Sequence, residues 1–254
     1  MNIIHAQNKE NFISYNRLVA AKKKAPFVIF HHGFMSDMQS KKCQLVESFC
    51  KKQGYNFIKF DNYGHGESSG EFLNHTISSW TGGLELIVDN LAGDRPALLV
   101  GSSLGAWITA LFAIKYPKKV MGMVLVSSAF DFTEELIWNN LPQEQRDILE
   151  RDGFYEVIGT DPSCDHTYPV SLDLILDGRK NLLLTRDKIN ITCPTHLIHS
   201  MRDIDVPCSI SKRAAEKIVS DDVVLKLIKN ADHNMSGEKE MHIVCNSIEE
   251  LMEG

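Results

Sequence analysis

The sequence predicts an α/β fold with a mostly parallel central sheet, helices on both faces and one helical insertion. Short apolar and β-branched runs bounded by Gly, Pro or Asp alternate with longer amphipathic segments, as in successive strand–helix–strand units. The chain has 254 residues, of which 43% are hydrophobic and 24% charged, and this suits one large folded domain. We therefore expect a single domain over residues 1–254.

The predicted elements follow one another in a regular order. Residues 1–25 are expected to form one or two antiparallel edge strands. Core strands are predicted at residues 27–31, 56–61, 97–100, 120–126, 195–199 and 223–228. Helices are predicted at about 38–53, 78–91, 104–116, 209–219 and 238–252.

The alternation breaks once, over residues 131–190. Aromatic residues such as Phe132, Trp138 and Tyr168 occur there among acidic residues, without a strand–helix rhythm. An insertion after the carboxyl end of a strand lies over the place where open α/β sheets bind ligands. We therefore predict a helical cap or lid over residues 131–190.

Composition excludes several classes of function. A formal net charge of −6 disfavours a nucleic-acid partner, because such binding needs a basic face. The longest apolar stretches are strand-sized, which argues against integral membrane association. Six cysteines without CxxC spacing, and no apolar leader, indicate free thiols in the cytoplasm. No metal or cofactor motif occurs, so neither is expected, and the oligomeric state stays open.

The pentapeptide Gly101-Ser102-Ser103-Leu104-Gly105 is the strongest chemical signal. It lies between the strand predicted at 97–100 and an amphipathic helical segment. A serine on such a sharp turn has a strained backbone, and the flanking glycines remove steric clashes that would forbid the turn. Ser103 is therefore the predicted nucleophile, and Ser102 is expected to point away from the site.

Two backbone amides are the predicted donors to the oxyanion. The Leu104 N–H lies at the start of the helix, where unpaired amides and the helix dipole favour negative charge. In folds with this kind of elbow the second donor comes from the loop after an earlier strand. Here that loop begins after residue 31, and Phe34 is the candidate.

A serine hydroxyl needs a neighbouring base to become a good nucleophile. Of ten histidines, His233 is the one in a polar, turn-like segment directly after the last predicted strand. His242 lies too deep in the final helix. Two carboxylates after the strand ending at 199, Asp203 and Asp205, could each orient the base.

These residues together resemble the α/β-hydrolase superfamily. The resemblance covers about residues 25–250 and is carried, in the family's order, by His32-Gly33-Phe34, Asp61-x-x-Gly64-x-Gly66-x-Ser68, the elbow at Ser103, Asp203-x-x-Val206-Pro207 and His233. Within the superfamily the chain looks like the abhydrolase-domain group of palmitoyl-protein thioesterases and acyl-glucuronide esterases. The resemblance implies a triad of Ser103, Asp203 and His233, with no cofactor and an acyl-enzyme intermediate.

The leading hypothesis is a serine hydrolase of esters or thioesters, acting on a small molecule or an acylated protein. One alternative is a serine aminopeptidase on the same fold. It would need an acidic recess in the cap for the substrate's amino group, built from Glu134, Glu135, Glu150 and Asp152. A second alternative is a non-catalytic ligand-binding protein, although such proteins usually lose a member of the triad.

Overall fold

A computed structural model of the chain describes residues 2–6, 11–20, 25–158 and 167–254. Its main element is a sheet built from β1 (Asn2–His5), β2 (Phe12–Leu18), β3 (Phe27–His31), β4 (Asn56–Phe60), β5 (Ala97–Ser102), β6 (Val120–Val126), β9 (Thr195–Ser200) and β10 (Val223–Ile228). A separate hairpin contains β7 (Phe154–Ile158) and β8 (Thr167–Ser171). The α-helices are α1 (Lys41–Gln53), α2 (Ile77–Leu91), α3 (Leu104–Lys115), α4 (Gln143–Asp152), α5 (Leu172–Lys180), α6 (Ser209–Lys217) and α7 (Glu238–Glu253).

The sheet has the order β1-β2-β4-β3-β5-β6-β9-β10. The six strands from β4 to β10 pair in parallel, while β2 joins β4, and β1 joins β2, in antiparallel fashion. The predicted α/β class and the antiparallel N-terminal edge are thereby confirmed. Parallel strands bring their carboxyl ends to one edge of the sheet, and the loops that follow β3, β5, β9 and β10 meet there.

Both faces of the sheet are covered by helices, as the continuous apolar strands require. Alternate side chains of β5 point to opposite faces, so Leu98 and Val100 pack in the layer with α1 and α7. Leu99 packs in the larger layer with α2 and α3, where Trp80 and Trp107 are fully buried. The helices therefore have fixed positions relative to the strand ends.

Helix α1 begins at Lys41, later than the predicted residue 38. The preceding residues form turns instead: the Ser36 amide donates to the Gly33 carbonyl, and the Ser40 amide to the Asp37 carbonyl. The Asp37 carboxylate also accepts from the Gln39 amide at 2.6 Å, a local bond that competes with helix formation. The delayed start places the first turn of α1 beside the loop after β3.

Residues 131–190 contain more than the predicted helices. The segment contains a π-helical turn at Thr133–Ile137, followed by α4 and α5. Between α4 and α5 lies the β7–β8 hairpin, which the sequence analysis did not predict. Alternating exposed and half-buried residues along Phe154–Ile158 suit a strand at the surface. Residues 159–166, which connect the two strands, lie outside the described residues, as does Cys164.

Polar contacts attach this segment to the body of the domain. The Asp177 carboxylate of α5 accepts from the amide and the hydroxyl of Ser78 on α2 at 2.7 and 2.8 Å. A bidentate ion pair of 2.9 and 3.0 Å joins Glu135 to Arg213 of α6. In the described ranges of the chain, no helix is long and apolar enough to cross a membrane.

Helix α3 approaches the sheet at two glycines. A Cβ atom on Gly105 would lie 2.2 Å from the His31 carbonyl oxygen and 2.6 Å from that of His32. A Cβ on Gly101 would lie 2.6 Å from the Gly105 carbonyl oxygen. These obstacles are backbone atoms, so they cannot be relieved by a rotamer change. The helix therefore reaches its position beside Ser103 only if both residues lack a side chain.

We expect Gly105→Ala to destabilise the fold by about 3 kcal/mol or more, because α3 must move off β3 to admit the methyl group. Gly82→Ala is the matched control: a Cβ there meets nothing within 4 Å. That variant should be more stable than the wild type by about 0.5–1 kcal/mol, since alanine is the better helix former. Urea unfolding of both variants measures the difference, and equal stability of Gly105→Ala and the wild type would contradict this packing.

Candidate active site

The structure brings together the three side chains predicted as a triad. Ser103 follows β5, Asp203 lies in the loop after β9, and His233 lies in the loop after β10. The Ser103 Oγ is 3.0 Å from His233 Nε2, and His233 Nδ1 is 2.7 Å from Asp203 Oδ2. Two hydrogen bonds therefore connect the serine hydroxyl to a carboxylate through one imidazole. This is the arrangement that lets a histidine accept a serine proton.

The backbone at Ser103 is strained, as the predicted elbow requires. Its φ is 56° and its ψ is −117°, an unusual region for a residue with a side chain. The Ser103 amide donates to the Val126 carbonyl at 2.9 Å, and its carbonyl accepts from the Ala129 amide at 3.2 Å. These bonds to β6 and the residues after it hold the turn, and Ser103 remains partly exposed.

Asp203 is the carboxylate that reaches the imidazole, rather than Asp205. Its side chain is fully buried and its Oδ1 accepts from the amides of Asp205 and Val206 at 3.0 and 2.8 Å. Burial by itself would raise the pKa of Asp203. Hydrogen bonds to His199 and His233 outweigh that effect and hold the pKa well below its usual range. Asp203 is therefore ionised at neutral pH.

His199 is a supporting residue to which the sequence analysis assigned no role. It is fully buried, and its Nε2 lies 2.9 Å from the Val206 carbonyl oxygen and 3.2 Å from Asp203 Oδ2. Its Nδ1 lies 2.7 Å from the Ser211 hydroxyl. A proton on Nε2, with Nδ1 accepting from Ser211, satisfies all three contacts. The one signal in the sequence was its position at the end of β9, just before the acid.

The loop after β3 lies directly against the elbow. A Cβ on Gly33 would lie 3.2 Å from the Cβ of Ser103, so this close approach favours glycine. The His32 ring supports the loop: its Nδ1 is 2.8 Å from the Gly33 carbonyl oxygen, and its Nε2 accepts from the Asn62 amide at 3.0 Å. Burial lowers the pKa of His32 to about 4, so the ring is neutral at pH 7.

Two cavities of different character meet at Ser103, Phe34 and His233. One, of about 250 Å³, is mostly apolar and is lined in part by residues of the segment 131–190. Its other lining residues are Met35, Leu104, Ala129, Phe132, Leu136, Ile137, Tyr168, Asp205 and Val206. The second, of about 300 Å³, lies on the α1 side, and its walls are polar and apolar in nearly equal parts; it is called the polar cavity below because it contains lysine and serine side chains. Its other lining residues are Phe30, His32, Gly33, Ser36, Ser40, Lys41, Lys42, Ser102, Asn234 and Ser236.

Ser102 does not simply point away from the site. Its hydroxyl accepts a hydrogen bond of 2.6 Å from Lys42 Nζ, and both side chains line the polar cavity that also reaches Ser103. The alternation of side chains along β5 turns Ser102 toward α1, and the cavity extends to that face. The expectation was wrong because it considered the elbow alone and not the helix packed behind it.

One group of side chains has the composition of a metal site. Among the described residues, Asp203, Asp205 and His233 are the one set of three or more whose possible ligand atoms lie within 4.8 Å of one another. A metal ion there would displace the 2.7 Å bond between His233 and Asp203, as well as the amides bound to Asp203. The observed bonds match a serine triad more closely.

Comparisons with known proteins agree with this arrangement. A family model described as "Serine aminopeptidase, S33" matches residues 22–151. The palmitoyl-protein thioesterase ABHD10 of Bos taurus, a mitochondrial protein by name, is 34% identical over 241 residues, which are 95% of this chain and 76% of the relative.

Two solved structures resemble the whole domain. Mouse alpha/beta hydrolase domain-containing protein 10 is 31% identical with a TM-score of 0.88, covering 99% of this chain and 98% of that one. A protein of Agrobacterium vitis S4, assigned as a hydrolase, is also 31% identical, with a TM-score of 0.92 and the same coverage. The chain therefore belongs to the α/β-hydrolases of the serine aminopeptidase S33 family, in the group that includes ABHD10, and it is a hydrolase.

Proposed function

We propose that this hydrolase cleaves carboxylic esters or thioesters through Ser103, His233 and Asp203, with an acyl-enzyme intermediate. The observation that carries the proposal is the unbroken hydrogen-bonded chain from the Ser103 hydroxyl to the buried Asp203 carboxylate, at the mouth of an apolar cavity. The name of the ABHD10 relatives, palmitoyl-protein thioesterase, supports the ester and thioester class.

Acylation begins with proton transfer from the Ser103 Oγ to His233 Nε2 as the oxygen attacks the substrate's carbonyl carbon. The ionised Asp203 stabilises the imidazolium that forms and holds its Nδ1–H in place. The carbonyl oxygen becomes an oxyanion, for which the amides of Phe34 and Leu104 are the proposed donors. Both residues line the apolar cavity together with Ser103.

The tetrahedral intermediate collapses when the bond from carbon to the leaving oxygen or sulfur breaks. His233 returns its proton to that atom, and the alcohol or thiol departs. A water molecule then attacks the acyl-Ser103 ester while His233 accepts one of its protons. The second collapse releases the carboxylic acid and restores the Ser103 hydroxyl, so no cofactor is consumed.

The apolar cavity is the proposed acyl site, and residues 131–190 act as its cap. Phe132, Leu136, Ile137 and Tyr168 of this segment supply much of its wall. The Phe34 ring packs against Phe132 and Tyr168 at centroid distances of 5.3 and 5.8 Å, linking the oxyanion loop to the cap. The substrate is a small molecule or an acylated protein, and its acyl chain is held by apolar contact.

Ion pairing weakens the aminopeptidase alternative, although the family description bears that name. Glu134 is paired with Arg179 at 2.8 Å, and Glu135 with Arg213. Asp152 is paired with its neighbour Arg151 at 2.7 Å. These carboxylates and Glu150 line neither cavity at Ser103. An acidic recess for a substrate ammonium is therefore not formed by these four residues.

Free thiols support a reducing compartment, and we propose the cytoplasm. The five cysteines in the described ranges are unbonded: Cys43, Cys50, Cys193, Cys208 and Cys245. Burial raises the pKa of the Cys245 thiol to about 11, which keeps it protonated and unreactive. The mitochondrial location in the names of the ABHD10 relatives is a property of those proteins.

Removing either the donor or the acceptor of the Ser103 proton should greatly lower turnover. We expect Ser103→Ala and His233→Ala each to lower kcat/KM for a p-nitrophenyl ester by about 10³-fold or more, because triad members act as a unit. His242→Ala is the matched control, since His242 is exposed on α7, and its activity should equal that of the wild type. A fluorophosphonate probe should label the wild type but not Ser103→Ala. Undiminished hydrolysis by Ser103→Ala would end the proposal.

The acidic limb of the pH profile of kcat/KM should depend on a single ionisation. Asp203 has a pKa well below its usual range, so it stays ionised at pH values that would protonate an ordinary aspartate. The proposed mechanism needs an unprotonated base to accept the Ser103 proton, so activity should fall as the pH falls. We expect log(kcat/KM) to decline with a slope of one. A slope of two would mean that a second group, such as Asp203, titrates in the same range.

Cap substitutions should alter the preferred acyl length. Leu136→Trp fills part of the apolar cavity, so kcat/KM for long-chain p-nitrophenyl esters should fall by about tenfold or more, with short-chain esters little changed. Leu176→Trp is the control, because Leu176 is 43% exposed on α5 and lines neither cavity at Ser103. A uniform loss over all chain lengths would place the acyl chain elsewhere.

A further inference from the structure

The polar cavity has a charge that the proposed chemistry does not use. Lys42 lines it and is only 7% exposed, yet in the part of the chain that the structure describes its ammonium makes a single hydrogen bond, to the neutral hydroxyl of Ser102. It forms no ion pair with a carboxylate among the described residues. A buried ammonium without a counterion is costly, and such a charge is generally paired with an anion.

The two acids whose charges act on Lys42 already have partners. Asp203 and Asp232 favour the ammonium only through space. The Asp203 oxygens accept from two amides and the His233 imidazole, and Asp232 accepts from the Met235 amide at 2.9 Å. Burial lowers the pKa of Lys42 to about 8, so it remains largely charged at pH 7. Two of its three donor hydrogens are left for a ligand.

The start of α1 adds to the same positive field. Ser40, which directly precedes the helix, makes no side-chain cap, and no acidic residue lies in the first turn. Lys41 and Lys42 occupy that turn, although the positive end of a helix dipole favours acidic residues there. Both line the polar cavity, and its lining contains no carboxylate. The arrangement is unfavourable when empty and suits a bound anion.

The position of Lys42 relative to Ser103 indicates which part of the substrate would carry the anion. The proposed site of the acyl chain is the apolar cavity on the other side of Ser103. Asp205 lines that cavity and is the one carboxylate among the residues that line either cavity. The remaining part of an ester or thioester is the leaving group. Ser102, which binds the ammonium, directly precedes Ser103, so the anion would lie only a few bonds from the scissile atom.

We propose that the polar cavity is a leaving-group subsite in which Lys42 and the first turn of α1 bind a small anionic group, a carboxylate or a tetrahedral oxyanion, carried by the alcohol or thiol of the substrate. This inference rests on the proposed ester and thioester hydrolysis. It makes Lys42 a specificity-determining residue and Ser102 the residue that positions it.

Three octanoyl thioesters test the subsite: those of 3-mercaptopropionate, 2-mercaptoethanesulfonate and 3-mercaptopropionamide. They share an acyl chain and differ in the charge of the thiol part. The wild type should favour at least one anionic thioester over the neutral one. In Lys42→Met that ratio of kcat/KM values should fall by about 10- to 100-fold, the size of a charge-assisted hydrogen bond. Comparing ratios cancels differences in thiol reactivity.

The control is Lys51→Met, which removes the same charge from an exposed position in the last turn of α1. Its ratio should equal that of the wild type. An unchanged ratio in Lys42→Met overturns the subsite while leaving the proposed function intact. Hydrolysis of the neutral thioester by Ser103→Ala would overturn the proposed function itself.

A measurement without any variant covers the case in which Lys42→Met fails to fold. The free thiols should inhibit the wild type competitively, and 3-mercaptopropionate or 2-mercaptoethanesulfonate should bind about tenfold or more tightly than 3-mercaptopropionamide. The stronger of the two anions then identifies a planar or a tetrahedral group. Equal inhibition by all three thiols overturns the proposal.

Discussion

The site depends on one local constraint, the left-handed backbone of Ser103 between β5 and α3. A φ of 56° is unfavourable for serine, and hydrogen bonds to Val126 and Ala129 hold it. The turn can form only because Gly101 and Gly105 let α3 approach the backbone of β3 and β5. Strain at Ser103 is thus balanced by close packing of a helix on a sheet, which also places its hydroxyl above the strand ends.

A second buried network gives that hydroxyl its partner. Asp203 is removed from water, and its charge is stabilised by the amides of Asp205 and Val206 and by two imidazoles. His199 binds the same loop at both Val206 and Asp203, and Ser211 of α6 binds His199 in turn. The orientation of His233 is therefore set by residues behind the acid as well as by the acid itself.

The surroundings of Ser103 differ on its two sides. Toward the segment 131–190 the walls are aromatic and aliphatic, and that segment is held to α2 and α6 by contacts of Asp177 and Glu135. Toward α1 the walls combine hydroxyls and lysines with aromatic and imidazole rings. In the proposed reaction, the acyl part and the leaving part of the substrate each have a separate environment. Both cavities reach the same hydrogen-bonded chain from Ser103 to Asp203.

Local pattern in the sequence was enough to predict the strands, most helices, the elbow at Ser103 and His233 as its partner, because these follow from periodicity, glycine positions and order along the chain. The sequence also determined the apolar strands and the fold class. Only the tertiary structure decided the contacts between residues that are far apart in the sequence. Asp203 and Asp205 follow the same strand, and only their direction relative to His233 separates them. Three other features join residues whose proximity arises from packing, for which no short motif exists. They are the pairing of Lys42 with Ser102, the support from His199 and the β7–β8 hairpin.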